Sequence, residues 1–150
     1  MNKDLQIAKK TVQIEIQALK KLSSSFNRSS HFSKAVNLLS KMKGKCLVVG
    51  VGKSYIVSLK VSATLSSLGT PSVAFSANDL QHGGLGAIQK NNDVLLIFSV
   101  SGESLELNSI LRYANRYNIS VIGVSCKATS MLLRYSTIRI LLPRVVEAGH

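Results

Sequence analysis

Five short apolar runs after Lys45 constrain the fold of this chain more than any other feature. They read CLVVGV, PSVAFS, DVLLIFSV, ISVIGVS and TIRILLP, and segments of helical length separate them. Hydrophobic residues are continuous within each run, which is typical of strands buried on both faces of a parallel sheet. The pattern predicts an α/β fold: a doubly wound, five-stranded parallel sheet in three αβα layers, with right-handed crossovers.

A pair of helices is predicted before these runs. Apolar residues recur three or four places apart from Leu5 to Leu22, which is the spacing of one helical face. The stretch SSSFNRSSHFS interrupts this pattern with turn-forming and capping residues, and KAVNLLSKM resumes it. We therefore expect a helical segment at residues 1–44 that packs on a single core domain at residues 45–150.

The charge balance of the chain suggests a nucleic acid or an anionic membrane as a partner. Lysine and arginine number 19 against 7 acids, for a net charge of +12. However, aromatic residues make up only 5% of the chain, and no helix-turn-helix or RNA-reading motif is present. We expect no nucleic-acid or membrane partner and interpret the charge as a solvated basic surface. A basic nucleic-acid-binding protein is the rival reading.

The sequence also bears on compartment and on cysteine chemistry. No run of about 18 apolar residues lacks a charge, and the first residues are polar rather than signal-like. We therefore expect a cytoplasmic protein. Cys46 and Cys126 lie in or beside apolar runs without a second ligand at metal spacing, so we interpret both as free, packed thiols.

The turn GVGKS, which follows the first run, looks like a nucleotide-binding motif but has the wrong spacing. A P-loop requires a glycine where this chain has Leu47. A dinucleotide-binding turn requires a glycine where it has Tyr55, because the helix must pack closely on its strand. The turn is therefore expected to face a different ligand.

The loop SVSGES follows the third run, at a strand end where ligands bind in parallel sheets. Its three serines place three hydroxyl groups within six residues, and its glycine permits a close turn. Hydroxyls beside the free N–H groups of a following helix suit a phosphate. A purely structural alternative is a helix N-cap at Ser101, with Ser104 at the third helical position.

Three segments, GVGKS, QHGGLG and SVSGES, occur in an order and spacing that resemble the sugar isomerase (SIS) domain family. Within that family the chain is most similar to the bacterial D-arabinose 5-phosphate isomerases. The resemblance implies the SIS fold, which is flavodoxin-like and Rossmann-like. It also implies a pentose 5-phosphate ligand, interconversion of arabinose 5-phosphate and ribulose 5-phosphate for lipopolysaccharide (Kdo) synthesis, no metal or cofactor, and a homo-oligomer, dimeric or tetrameric.

The resemblance assigns roles to individual positions of this sequence. Contacts with the phosphate and hydroxyl groups of the sugar fall on Gly52, Ser54, Ser99, Ser101, Gly102 and Ser104. The catalytic positions fall on Lys53, His82, Glu103 and Glu147.

Aldose to ketose isomerisation moves a proton between neighbouring carbons through an enediolate, so it requires a base and a group that stabilises charge on oxygen. Glu103 or Glu147 is the expected base. Lys53 is expected to stabilise the oxyanion, and His82 to assist ring opening or to polarise a hydroxyl. The structural alternatives are a first-turn helix acid for Glu103, a solvated loop residue for Lys53 and a turn residue for His82.

The sequence departs from the family pattern at several positions. Tyr55, Gly84 and Val100 replace a glycine, an aspartate and an asparagine, and Asp79 replaces a glutamate. The chain ends in VVEAGH, where relatives read close to KEACP and continue through a further helical segment. We therefore expect a form truncated after the SIS core, and a non-catalytic sugar-phosphate sensor or interaction module is the alternative function.

Overall fold

The structure, a computed structural model, describes residues 2–26 and 30–147. Contacts divide these residues into two units: His31–Leu141 forms one, and the residues up to Ser30 form the other together with those from Leu142 onward. The predicted boundary at residues 44 and 45, and the packing of the first segment on the core, stay predictions. Within the described residues, no helix combines the length and apolar character needed to cross a membrane.

The larger unit contains the five predicted strands. All of them are parallel, in the order β2-β1-β3-β4-β5. Their bounds are β1 Cys46–Gly50, β2 Ser72–Ser76, β3 Val94–Phe98, β4 Ser120–Ser125 and β5 Ile138–Leu141. The predicted doubly wound α/β fold is confirmed.

Helices connect and cover these strands. Each crossover segment between consecutive strands contains at least one helix, as parallel pairing requires. The helices of this unit are α2 His31–Ser40, α3 Lys53–Ser67, α4 Ala77–Gln81, α5 Leu107–Arg116 and α6 Met131–Tyr135, with a short 3₁₀ helix at Gly84–Ala87.

The core lies on the central strands. Every residue of β1 is buried, as is nearly every residue of β3 and β4, whereas the edge strands β2 and β5 are largely half-buried or exposed. Helix α5 buries its apolar face, including Ile110, Leu111 and Ala114, against the same core. The unbroken apolar runs therefore mark full burial only in the middle of the sheet.

The first helix, α1 Lys3–Phe26, belongs to the smaller unit. It forms where the apolar spacing predicted a helix, and none of its 24 residues is buried. Leu5 is 57% exposed and Leu19 is 63% exposed. Part of the predicted interruption before α2, residues 27–29, lies outside the described residues.

A buried carboxylate ties together the amino ends of β1 and β3. Asp93 is 4% exposed and accepts hydrogen bonds from the backbone N–H groups of Lys45 and Gln89, both at 2.8 Å. The Lys45 Nζ lies 2.8 Å from its Oδ2. Burial raises the pKa of Asp93, but the bonds from Lys45 and Gln89 outweigh burial and hold that pKa below its usual value.

Strand register brings the carboxyl ends of the strands to one level. Gly50 at the end of β1 pairs with Ser76 of β2 and with Phe98 of β3. From β1 the chain crosses to β2 on one side, and from β3 it crosses to β4 on the other. The loops after β1 and β3 therefore diverge, and they leave between them the crevice where ligands of doubly wound sheets bind.

Candidate functional site

The GVGKS turn connects β1 to α3 with only two residues between them. A Cβ at Gly50 would lie 2.5 Å from the carbonyl of Ser54, so the first turn of α3 packs directly on the end of the strand. Gly52 has φ +53° and is the N-cap residue, so it offers no side chain to the first turn of α3. No side chain of the N-cap therefore covers the amino end of this 15-residue helix, where the N–H groups of Ser54 and Tyr55 donate to the carbonyls of Val51 and Gly52 at 3.0 Å.

Lys53 and Ser54 are the first two residues of this helix. Because α3 begins directly after β1, both lie at the carboxyl edge of the sheet, where Lys53 is exposed and Ser54 is half-buried. A cation and a hydroxyl at a helix amino end suit an anionic ligand.

The SVSGES segment forms a turn of its own before α5. Ser99 is buried, its Oγ accepts the N–H of Gly102 at 3.0 Å, and it lies 3.3 Å from the Oγ of Ser104. The exposed Ser101 accepts the N–H of Glu103 at 3.2 Å. Helix α5 begins only at Leu107, so the alternative that Ser101 is its N-cap is wrong.

Gly102 allows this turn to pack closely against the end of β4 and the loop after it. Its φ is +64°, and a Cβ there would lie 2.5 Å from the Oγ of Ser130 and 2.9 Å from that of Ser125. Its carbonyl accepts the N–H of Leu132 in α6 at 3.0 Å. Only glycine fits this contact without displacing buried hydroxyls.

Glu103 lies four residues before α5, so it is not the first-turn acid of that helix. Its Oε1 is 2.8 Å from the Nζ of Lys127, and its Oε2 accepts the N–H of Met131 at 3.4 Å. The hydrogen bond from Lys127 is the main cause of a pKa of Glu103 below its usual value. This carboxylate therefore joins two loops and stays ionised at neutral pH.

The end of β4 and the loop after it contain residues that the sequence reading missed. Ser125 donates from its Oγ to the carbonyl of Val100 at 3.1 Å, and Lys127 pairs with Glu103. The signal was available, because SCKATS follows a predicted strand just as GVGKS and SVSGES do. The rule that ligands bind at carboxyl ends of strands applies to every strand of the sheet.

His82 follows α4, beyond the end of β2. It is exposed, and its N–H donates to the carbonyl of Asn78 at 3.2 Å, which makes it the C-cap of that short helix. The neighbouring Gln81 donates from its Nε2 to the carbonyl of Glu106, just before α5. The QHGGLG segment is thus linked to the end of the SVSGES loop.

Two of the positions at which the sequence departs from the family pattern lie in and just after α4. Asp79 lies in the first turn of α4, where its N–H donates to the Oγ of Ser76 at 3.2 Å. A Cβ at Gly84 would lie 3.0 Å from the carbonyl of Asp79. Any larger residue at position 84 would therefore require a shift of this turn.

Most of the expected site residues thus lie in the larger unit, on the loops after β1, β2 and β3. Glu147 belongs to the smaller unit with α1, and its role stays a prediction. Among residues 2–26 and 30–147, no three His, Cys, Asp or Glu side chains are grouped so that they could hold a metal ion. Cys46 and Cys126 are free thiols, and burial, with the charge of Asp93, raises the pKa of Cys46 to about 12.

In comparisons with protein families, the SIS domain model matches residues 38–149. The chain is 35% identical over 133 residues to arabinose 5-phosphate isomerase KdsD of Pseudomonas aeruginosa, covering 89% of this chain and 40% of that protein. It is 32% identical over 141 residues to the KdsD of Francisella tularensis, covering 92% and 42% respectively. The chain therefore spans about two fifths of the length of these relatives.

Among solved structures, a protein of Escherichia coli CFT073 in complex with arabinose 5-phosphate is similar over the whole of this chain. The TM-score is 0.91 at 29% sequence identity, and the match covers 100% of this chain and 79% of that one.

Proposed function

This chain belongs to the SIS domain family, and from that premise we propose that it binds a pentose 5-phosphate, with arabinose 5-phosphate as the first candidate. The binding place is the crevice between the loops after β1 and β3. The relatives named arabinose 5-phosphate isomerase and the similar protein in complex with that sugar phosphate support this ligand.

The turn at Ser99 to Ser104 is the observation that carries the proposal. Inside it, the Oγ of Ser99 accepts the N–H of Gly102, so the turn holds its own shape without help from α5. The hydroxyl of Ser101 remains exposed at its apex. A preformed turn of hydroxyl and N–H groups, beside the amino end of α3, suits a phosphate dianion.

We further propose that the bound sugar phosphate undergoes aldose to ketose isomerisation. Lys53, at the start of α3, stabilises the enediolate oxygen, and His82 assists ring opening. Glu103 or Glu147 transfers the proton between the two carbons as the carboxylate base. We propose that the product, ribulose 5-phosphate or its aldose partner, is used in lipopolysaccharide sugar synthesis.

A homo-oligomer, dimeric or tetrameric, forms part of this proposal. The exposed apolar side chains of α1 support it, since Leu5, Val12 and Leu19 are each more than half exposed. Light scattering on the purified chain tests the point, and a folded monomer contradicts it.

A second function, a sugar-phosphate sensor without catalysis, is favoured by one observation. Val100 stands between two serines of the turn, 68% exposed, where an amide is usual in the family. An isopropyl group there cannot hydrogen-bond to a sugar hydroxyl. Binding would persist through the serines while the polar contacts that orient the sugar for reaction are fewer.

Phosphorus NMR of arabinose 5-phosphate mixed with the purified chain separates these functions. Growth of a ribulose 5-phosphate signal supports the isomerase. A shifted or broadened aldose signal without ketose supports the sensor. Neither change, in protein shown to be folded by circular dichroism, overturns both.

A further inference from the structure

One ion pair joins the loop after β3 to the loop after β4. Glu103 and Lys127 are 24 residues apart in the chain, and their Oε1 and Nζ atoms are 2.8 Å apart. Both side chains are about two fifths exposed. The second carboxylate oxygen reaches the N–H of Met131, the first residue of α6. Glu103 is therefore held from two sides by the same neighbouring segment.

The backbone on each side of Ser101 is fixed by that segment as well. The carbonyl of Val100 accepts the N–H of Cys126 at 3.0 Å, and the carbonyl of Gly102 accepts the N–H of Leu132 at 3.0 Å. The hydroxyl of Ser101 in turn accepts the N–H of Glu103. The Ser101 hydroxyl is therefore tied by a hydrogen bond to the backbone of Glu103.

Electrostatics give the pair a second effect. An unpaired carboxylate two residues from Ser101 would repel a phosphate dianion. The ammonium of Lys127 neutralises that charge at hydrogen-bonding distance, and Arg134 adds to the positive field at Glu103. A loop with a glutamate can in this way accept an anion.

We propose that Lys127 is a positioning residue for phosphate binding, which acts through Glu103: it holds the Glu103 carboxylate against α6 and so keeps the Ser99 to Ser104 turn in its binding form. The proposal rests on the proposed function, since it concerns the same site. Lys127 needs no contact with the ligand, because the carboxylate already engages its ammonium group.

A double-mutant cycle tests whether Lys127 acts through Glu103. Arabinose 5-phosphate is titrated calorimetrically into the wild type, Lys127→Met, Glu103→Gln and the double variant. Lys127→Met is expected to weaken binding about threefold to fivefold, the scale of an exposed ion pair. In the Glu103→Gln background the same change is expected to cause no further loss. Lys127→Arg, which keeps the ion pair with Glu103, is expected to bind arabinose 5-phosphate as the wild type does.

A matched control removes an equivalent charge elsewhere. Lys60 is an exposed lysine in α3 whose Nζ contacts the Oγ1 of Thr64 at 3.3 Å. Lys60→Met is expected to bind as the wild type does. Equal losses from Lys127→Met in both Glu103 backgrounds would mean that Lys127 meets the ligand or contributes only charge, and would overturn the proposal.

A second test needs no ligand: it follows the pKa of Glu103 and the amide shift of Gly102 by NMR, and these do not depend on the overall stability of the protein. Carboxyl-carbon NMR of Glu103 is expected to show its pKa rising towards the ordinary value in Lys127→Met, with a changed amide shift at Gly102. An unmoved Gly102 amide overturns the proposal. If the wild type binds no arabinose 5-phosphate, the proposed function fails and this inference fails with it. If the wild type binds and Lys127→Met binds equally well, only this inference fails.

Discussion

The amino and carboxyl edges of the sheet, where its strands begin and end, carry the same kind of ion pair in different surroundings. At the amino edge, Lys45 and Asp93 are 2.8 Å apart, and the Asp93 side chain is fully buried. At the carboxyl edge, Lys127 and Glu103 are also 2.8 Å apart, but the Glu103 side chain is 39% exposed. The distance is equal, so burial decides what each pair does.

Burial makes the amino edge a structural feature. Asp93 accepts two backbone N–H groups as well as the ammonium of Lys45, and nothing in that set is left for a ligand. At the carboxyl edge, by contrast, the side chains of Ser101 and of Lys53, the first residue of α3, are exposed. Polar groups paired inside the protein stabilise the fold, whereas accessible ones are available to bind.

The largest expected effect is the loss of the buried carboxylate. Asp93→Ala removes the acceptor of the Lys45 and Gln89 backbone N–H groups and leaves the Lys45 ammonium only the carbonyl of Ala87, so it is expected to lower the free energy of unfolding by about 3 kcal/mol. Urea unfolding measures it. The matched change Glu103→Ala should leave the urea midpoint where it is, because that pair is exposed. Equal losses from both changes would break the comparison between the two edges.

A smaller loss of stability is expected at the carboxyl edge from Gly102→Ala. The new methyl group would meet the hydroxyls of Ser130 and Ser125, both of which already make hydrogen bonds. The free energy of unfolding should therefore fall by about 2 kcal/mol. Gly69→Ala is the control, since Gly69 has φ +86° but open space around it. If both variants lose the same amount, the left-handed backbone alone is responsible and the close contact contributes nothing.

Ser101→Ala is expected to change binding rather than folding. Removal of one hydroxyl that we propose contacts the phosphate should weaken the affinity for arabinose 5-phosphate by roughly 1 kcal/mol or more, with no loss in thermal stability. Calorimetric titration measures it, and Ser109→Ala, an exposed serine of α5, is the control. Unchanged affinity would mean that the turn serves only structure.

The smallest expected effect is the pH dependence contributed by Asp93. Because its pKa is lower in the folded state, its contribution to stability is present above the ordinary carboxyl pKa and is lost as pH falls through the folded pKa. Asp93→Asn should flatten the acid side of the stability curve, measured by urea unfolding at a series of pH values. An unchanged acid slope would show that other carboxyls set it.

The strands were predictable because their signal is local. Each run of continuous hydrophobicity marks a segment that must leave water, and β1, β3 and β4 lie where CLVVGV, DVLLIFSV and ISVIGVS predicted them. The structural alternative of a helix N-cap at Ser101 would have begun α5 too early. The serines and Gly102 instead bond with one another and with the next loop, which delays the helix to Leu107.

The pattern of apolar runs by itself determined the α/β class, the parallel sheet and the loops that could carry chemistry. Tertiary structure decided the strand order, and with it the contacts between loops. The pairing of Glu103 with Lys127 and of Asp93 with Lys45 joins residues 24 and 48 positions apart. Hydrophobic periodicity is read within one segment, but the partner of a polar side chain depends on which strands become neighbours, and only the packed sheet sets that.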